Sequence, residues 1–491
     1  MSVNYLMKNK FYTLIKSCLL SAALSFSLAH AADNTLPDIG TAALSTLSVD
    51  KERLLGDVFM RQTRATLPVD YDPLANEYVN ALGNKLVAHA EDVSFPFTFF
   101  VVNDPSINAF AFFGGHIGIN AGLIALAENE SELASVVGHE IAHVTQRHLS
   151  RRIESQRLNS PITLAGVLSG ILLAVVNPEA GMAAMMATQA GSAQASINYT
   201  RSNEQEADRL GLSILVNAGY NPMGAPDFFD KMAARFRHLS TPPAFLLTHP
   251  MPESRVADAR LRAQQYAKGR MFRDSDEFHF FQSRIIARNQ LKSKDAVSFF
   301  QNQIKFNRYK VKEAAEYGLA IAYTDTDQLD KAEQIIRRLL KQDNNNLYFI
   351  DTLSDILNKR KAWDKALTML EAQYRLRPNN QVVTLNYANI AVEADQPELA
   401  IRLLKYYLLH NPNHFLAIDL LGQAYKKQKD LGHYHEMKAQ GLALRLGYQQ
   451  AIEEINTSLN HFDADKDILA IRRLEARKKQ YRSRLKQLKQ L

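Results

Sequence analysis

Leu133, Val136, Val137, Ile141 and Val144 recur at helical spacing, and Asn129 with Glu132 three residues on supplies the side chains of a capped helix start. A helix is expected there. Upstream, residues 114–119 place alternating side chains after a glycine pair, a pattern that suits an edge strand whose free backbone groups can take up an extended peptide, with an ordinary core strand beside a turn as the alternative. Residues 161–176 are largely apolar but are broken by Gly166 and Gly170 and followed by Asn177 and Pro178. That run falls short of the roughly twenty residues that span a bilayer. It predicts a buried or re-entrant helical pair, which with Met182, Met185 and Met186 suits an adaptable lid over a cleft; plain core helices are the alternative. In the C-terminal half Ala332, Ala366 and Ala400 stand 34 residues apart, as do Pro378 and Pro412. Small residues at that period let paired helices cross closely, and the prolines stop one helix before the next.

Chemistry concentrates in the first of these helices. His139 and His143 are four residues apart, so a helix sets both imidazoles on one face where they can grip one metal ion, with Glu140 beside it. A third ligand must come from elsewhere. Residues 200–211 form a capped helix start carrying Glu204 and Asp208 on a common face. Glu204 is the candidate ligand, and Asp208, one turn on, can accept the ring N–H of a ligating histidine and fix its tautomer. Two imidazoles, a carboxylate and an open fourth position describe a catalytic zinc site, with Glu140 as the proton acceptor and hydrolysis of a peptide bond as the reaction.

These residues carry a resemblance. The pentad 139–143, the later Glu-x-x-Ala-Asp helix and the run 108–119 resemble the M48 family of zinc metallopeptidases over residues 47–268. The resemblance implies a gluzincin-type domain, mainly α with a small β-sheet. It also implies one Zn2+ per chain held by His139, His143 and Glu204, Glu140 as general base, and Asp208 as a supporting acid often assigned proton donation. His249, in a His-Pro pattern with Arg255 downstream, matches a further family feature, either as a fourth metal ligand in a latent state or as an oxyanion stabiliser. Arg255 reads as an internal salt bridge, His116 as a strand residue, and His148 as a surface residue off the metal face.

The C-terminal period resembles tetratricopeptide repeats: Ala320 and Tyr323 precede Ala332, Trp363 precedes Ala366, and residues 421–425 read Leu-Gly-Gln-Ala-Tyr. An irregular unit comes first, with Ala296 thirty-six residues before Ala332, and Tyr434 replaces the alanine of the fourth unit. An all-α solenoid with a concave surface for protein segments is expected. The division is residues 1–31 leader, 32–270 peptidase and 271–491 repeats ending in a basic helix.

Lys8, Lys10 and Lys16 precede an apolar run through Leu28, and Ala29-His30-Ala31 suits cleavage near Ala31, so export to a periplasm is expected. Cys18, the only cysteine, lies in that leader, which leaves the exported chain without disulfides. The net charge of +7 is uneven: the leader's lysines carry three of it and the last twenty residues a net +8, leaving the rest at about −4. The basicity is therefore a tail property, in a helix suited either to anionic lipid or an acidic partner, or to capping the array; nucleic acid is not an expected partner after export. Exported M48 enzymes with such repeats imply quality control of outer-membrane β-barrel proteins: unfolded or stalled barrels as substrates and the barrel-assembly machinery met through the repeats. The rival is a non-proteolytic repeat chaperone or adaptor with a latent or structural zinc site.

Overall fold

A computed structural model describes residues 47–156, 193–236, 244–250 and 252–488. The expected leader and the expected lid at 161–195 lie outside the described residues, except for the last three positions, which open a helix. The N-terminal half begins with α1 (Val49–Thr66) and α2 (Pro73–Val87), followed by strands β1 (Thr98–Val102), β2 (Ala109–Phe112) and β3 (His116–Asn120) and the short α3 (Ala121–Leu126). Next come α4 (Glu130–Thr145), α5 (His148–Gln156), α6 (Ala193–Asn217), α7 (Gly224–Phe236), α8 (Ala244–Thr248) and α9 (Glu253–Ala267).

Helix α4 is the axis of this half. The Asn129 side chain accepts from Glu132 N at 2.9 Å, and Glu132 accepts from Glu128 N at 2.8 Å, which satisfies donors that a helix start leaves free. Every residue of α4 except His143 is buried, so the helix is wrapped on all sides. Against it crosses α6, and at the crossing Gly138 faces Gly211. A Cβ on Gly138 would lie 3.1 Å from Gly211 O, and one on Gly211 only 2.9 Å from His139 N. The two backbones touch because neither residue has a side chain, and Glu204 and Asp208, about two turns and one turn before Gly211, are thereby delivered to the histidines.

The sheet overturns the edge-strand reading in favour of its core-strand alternative. Its order is β1-β3-β2, with β1 parallel and β2 antiparallel to β3. β3 is the centre, not an edge. The glycine pair Gly114 and Gly115, at φ 77° and 81°, makes the turn that folds β2 back on β3, and β1 takes the other side. Both backbone edges of residues 116–120 are thereby used, with Ile117 and Ile119 fully buried. Alternation alone cannot distinguish a centre from an edge. Among the described residues the outer edge of β2 has no strand partner.

The C-terminal half opens with α10 (Glu277–Ile285), a π-turn (Ile286–Gln290) and α11 (Ser293–Lys305). Four helix pairs follow at the expected 34- to 35-residue spacing: α12 and α13 (Lys312–Asp325, Leu329–Gln342), α14 and α15 (Leu347–Lys359, Trp363–Leu376), α16 and α17 (Gln381–Glu393, Pro397–His410), α18 and α19 (Phe415–Lys427, Leu431–Ala443). Ala296, Ala332, Ala366 and Ala400 are fully buried at the crossings. Last come α20 (Tyr448–Leu459) and the basic α21 (Ile468–Leu488), which turns Leu474 and Tyr481 inward and sets Arg473 and Arg477 on the buried Glu436 at 2.7 and 3.0 Å. One face of α21 therefore caps the array, while Arg472, Lys479 and Arg482 remain exposed.

The hydrophobic core runs unbroken from α2 to α18. At the seam the buried Arg284 of α10 donates to Asp72 at the start of α2 (Nε to Oδ2, 2.8 Å) and pairs with Asp351 of α14 at 2.7 Å. Asn289 binds Asp70, Arg61 reaches Ala443 O at 2.7 Å, and Tyr71 packs on Phe415 with ring centres 4.8 Å apart.

The glycine crossing yields a prediction. Alanine favours a helix over glycine by about 1 kcal/mol, yet G211A is expected to destabilise the chain by about 1–3 kcal/mol because backbone has to move. Chemical denaturation measures this; a variant as stable as the parent would show that the crossing has room for a Cβ.

Candidate metal centre

Helices α4 and α6 and the loop after α8 converge on one point. His139 Nε2 and His143 Nε2 are 3.0 Å apart, and Glu204 sets Oε2 3.4 Å from His139 Nε2 and Oε1 3.4 Å from His143 Nε2. His249 Nδ1 lies 3.3 Å from His139 Nε2 and 3.1 Å from Glu204 Oε2. The donor atoms of these four residues all fall within 4.8 Å of one another. A tetrahedral site with bonds of about 2.1 Å has edges of about 3.4 Å. The observed separations of 3.0–3.4 Å are close to that figure, and a nitrogen, nitrogen and carboxylate donor set suits a transition metal. Glu140, almost fully buried, points its Oε1 at His249 Nε2 across 3.3 Å.

The sequence pattern of peptidase family M48 matches residues 73–263, which contain every one of these groups. The chain is 43% identical over 442 residues to the putative beta-barrel assembly-enhancing protease of Vibrio cholerae, covering 90% of this chain and 91% of that one. It is 39% identical over 490 residues to the beta-barrel assembly-enhancing protease of Escherichia coli K12, covering 97% and 99%. This chain belongs to peptidase family M48. It is a metalloendopeptidase.

Electrostatics in the M48 site follow from burial opposed by close opposite charge. Burial would raise the carboxyl of Glu204, but His249 and His143 hold it well below the ordinary range. Burial would also raise the carboxyl of the half-buried Asp208, but His139 and Arg255 hold it down. Arg255 forks onto Asp208, with Nε donating to Oδ2 and Nη2 to Oδ1, both at 2.7 Å, and lies 2.9 Å from Glu204 Oε2. The expected internal salt bridge is thus a clamp on two site carboxylates. His139 Nδ1 lies 3.1 Å from Asp208 Oδ1, within ion-pair reach though not aligned as a hydrogen bond. Burial disfavours the charged His139 ring, yet Asp208 and Glu204 outweigh it and push its pKa up to about 10. His143 goes the other way, with burial holding it well below 6.5.

His148 departs from the sequence reading. It is buried, not on the surface, and its Nδ1 lies 2.8 Å from His143 Nδ1. On a continuous helix, five residues would carry it far round from His143. Instead α4 stops at Thr145, and Arg147 takes a left-handed φ of 51°, so α5 starts afresh at His148 and swings the ring back. Arg147 is anchored there by Glu52, with Nε donating at 2.9 Å, and by Leu47 O at 2.6 Å. No glycine marks this break, so a sequence shows no signal for it.

The cleft beside the cluster holds about 200 Å³ and is lined by Phe110, Ala111 and Phe113 of the β2 hairpin together with Glu140, His143, His148, Glu204 and His249. His116 lies outside that lining; it packs on Phe112, and burial pushes it down to about 4.

Metal loading is the direct check. Elemental analysis of purified protein is expected to find about one transition-metal ion per chain, and E204Q to weaken its retention against a chelator by at least about tenfold. Protein with no stoichiometric metal would contradict the ligand set.

Proposed function

We propose that the chain is a zinc-dependent endopeptidase of the bacterial periplasm that clears misassembled outer-membrane β-barrel proteins and assists assembly of the others. The observation that carries this is the convergence of His139, His143 and Glu204 donors, 3.0–3.4 Å apart, with Glu140 beside the cluster. The named action of relatives aligned over nine-tenths or more of both chains supports the choice of substrate. The leader with its cleavage pattern supports the periplasm, and among the described residues no helix is long and apolar enough to cross a membrane.

Zinc held there supplies Lewis acidity, polarising a carbonyl and making water a nucleophile at neutral pH. The residues do the rest. The outer edge of β2 offers backbone groups to an extended substrate, with Phe110 and Phe113 as apolar wall, so an unfolded strand-forming segment is the fitting guest. Glu140 takes a proton from the attacking water and returns it to the leaving amine. Asp208, locked by Arg255, orients His139. Through their concave face the repeats, of tetratricopeptide type, meet the assembly machinery, and the exposed cations of α21 are placed for anionic lipid.

His249 sits within ligand distance, which favours a latent resting state with the fourth position filled. The adaptor reading differs only in holding that state permanent.

Two variants separate these. E140Q is expected to keep zinc and lose at least about a hundredfold in cleavage of an unfolded barrel precursor; cleavage at the parental rate would remove Glu140 from its role, and full rescue of a null strain by E140Q would favour the adaptor. H249A is expected to keep one zinc per chain and cleave severalfold faster, whereas slower cleavage would show that His249 assists the reaction rather than blocking it.

A further inference from the structure

His143 reaches the cluster through Nε2, so its Nδ1 must carry the proton for that lone pair to be free. What receives this proton is not a carboxylate or a backbone carbonyl but another ring: His148 Nδ1 at 2.8 Å. On its far side His148 Nε2 faces Glu206 Oε2 at 3.2 Å, and Arg151 Nη1 donates to that same oxygen at 3.1 Å. A carboxylate accepts and cannot donate. His148 Nε2 must therefore carry a proton, which leaves Nδ1 of the neutral ring as an acceptor for His143. Each bond in the chain dictates the next.

We propose that His148, anchored by Glu206 and Arg151, is a positioning residue that fixes the tautomer and ring angle of His143 for metal ligation. The inference rests on the ligand set proposed above. Burial supports it, since His148 is closed off from solvent and its ring atoms are left to these protein partners. The arrangement mirrors the one at His139, whose Nδ1 faces Asp208 pinned by Arg255. Both ligand rings thus end on a carboxylate held by an arginine; at His143 an extra imidazole spans the gap between α4 and the Glu206 position of α6.

The test is zinc affinity of the full chain by chelator competition, with the visible spectrum of the cobalt-substituted protein as a second readout. H148F, which keeps the ring volume without an acceptor, is expected to bind zinc about ten- to a hundredfold more weakly and to shift the cobalt bands. H148N, whose carboxamide oxygen takes the place of Nδ1, is expected to recover most of both. A folded H148F with parental affinity and spectrum would overturn the proposal. Should H148F not fold, E206A is expected to lose severalfold in affinity, and a folded E206A with parental affinity and spectrum would overturn it equally. Absence of zinc binding by the parent would instead count against the ligand set itself.

Discussion

Two helices without side chains at one point set the scale of everything else. Because Gly138 and Gly211 meet backbone to backbone, α4 and α6 run closer than any pair bearing Cβ atoms could. Glu204 and Asp208 then project across a gap short enough for a carboxylate to approach two imidazoles within 3.4 Å. A separation greater by one methyl group would leave three donors that no single ion could join, because metal bonds tolerate only a few tenths of an ångström. Packing density in the core, not side-chain chemistry, is thus the first determinant of the site.

That closeness carries an electrostatic cost. His139, Glu140, Glu204 and His249 are all buried, and isolated charges of this kind would be costly by several kcal/mol each. The fold meets this with alternating sign: Arg255 against Glu204 and Asp208, Arg151 against Glu206, Arg147 against Glu52. The same logic joins the halves of the chain, where Arg284 stands between Asp72 and Asp351 and is raised well above its ordinary pKa because the two carboxylates outweigh its burial. Removing one member would leave buried charge less fully compensated, so these pairs fix geometry more than they add net stability.

The parts of this design that repeat at short range were readable in the sequence, and the parts that depend on chain reversal were not. Residues 139 and 143, and likewise 204 and 208, share a face by helix periodicity alone, and alanines at 332, 366 and 400 share a packing role by translation. Helix geometry carries such information without tertiary context. Placing residues 114–119 at a sheet edge failed because β1, only eighteen residues earlier in the chain but on the other side of β2, pairs parallel along the far side. His148 was misplaced because a left-handed Arg147, unmarked by glycine, resets the helix phase, and the cause of that conformation is Glu52, nearly a hundred residues away. Arg255 was legible as an ion pair, while its grip on two carboxylates at once needed α9 to be docked against α6.

Arg255 also bears on how a latent centre would open. Its Nη1 donates to Pro250 O at 2.6 Å, one residue beyond His249, so the guanidinium that clamps Glu204 and Asp208 also tethers the loop carrying the proposed fourth ligand. Lifting His249 away would break that bond but need not disturb the fork on Asp208, which is held from Nε and Nη2. A hydrogen bond to a charged group contributes about 1.5–3 kcal/mol. That bond alone would favour the closed state by roughly ten- to a hundredfold, in addition to the contacts His249 makes with Glu204 and Glu140. Under this scheme the ligands of the metal stay fixed while only the blocking residue moves. Opening then requires no rearrangement of the glycine crossing on which the centre is built.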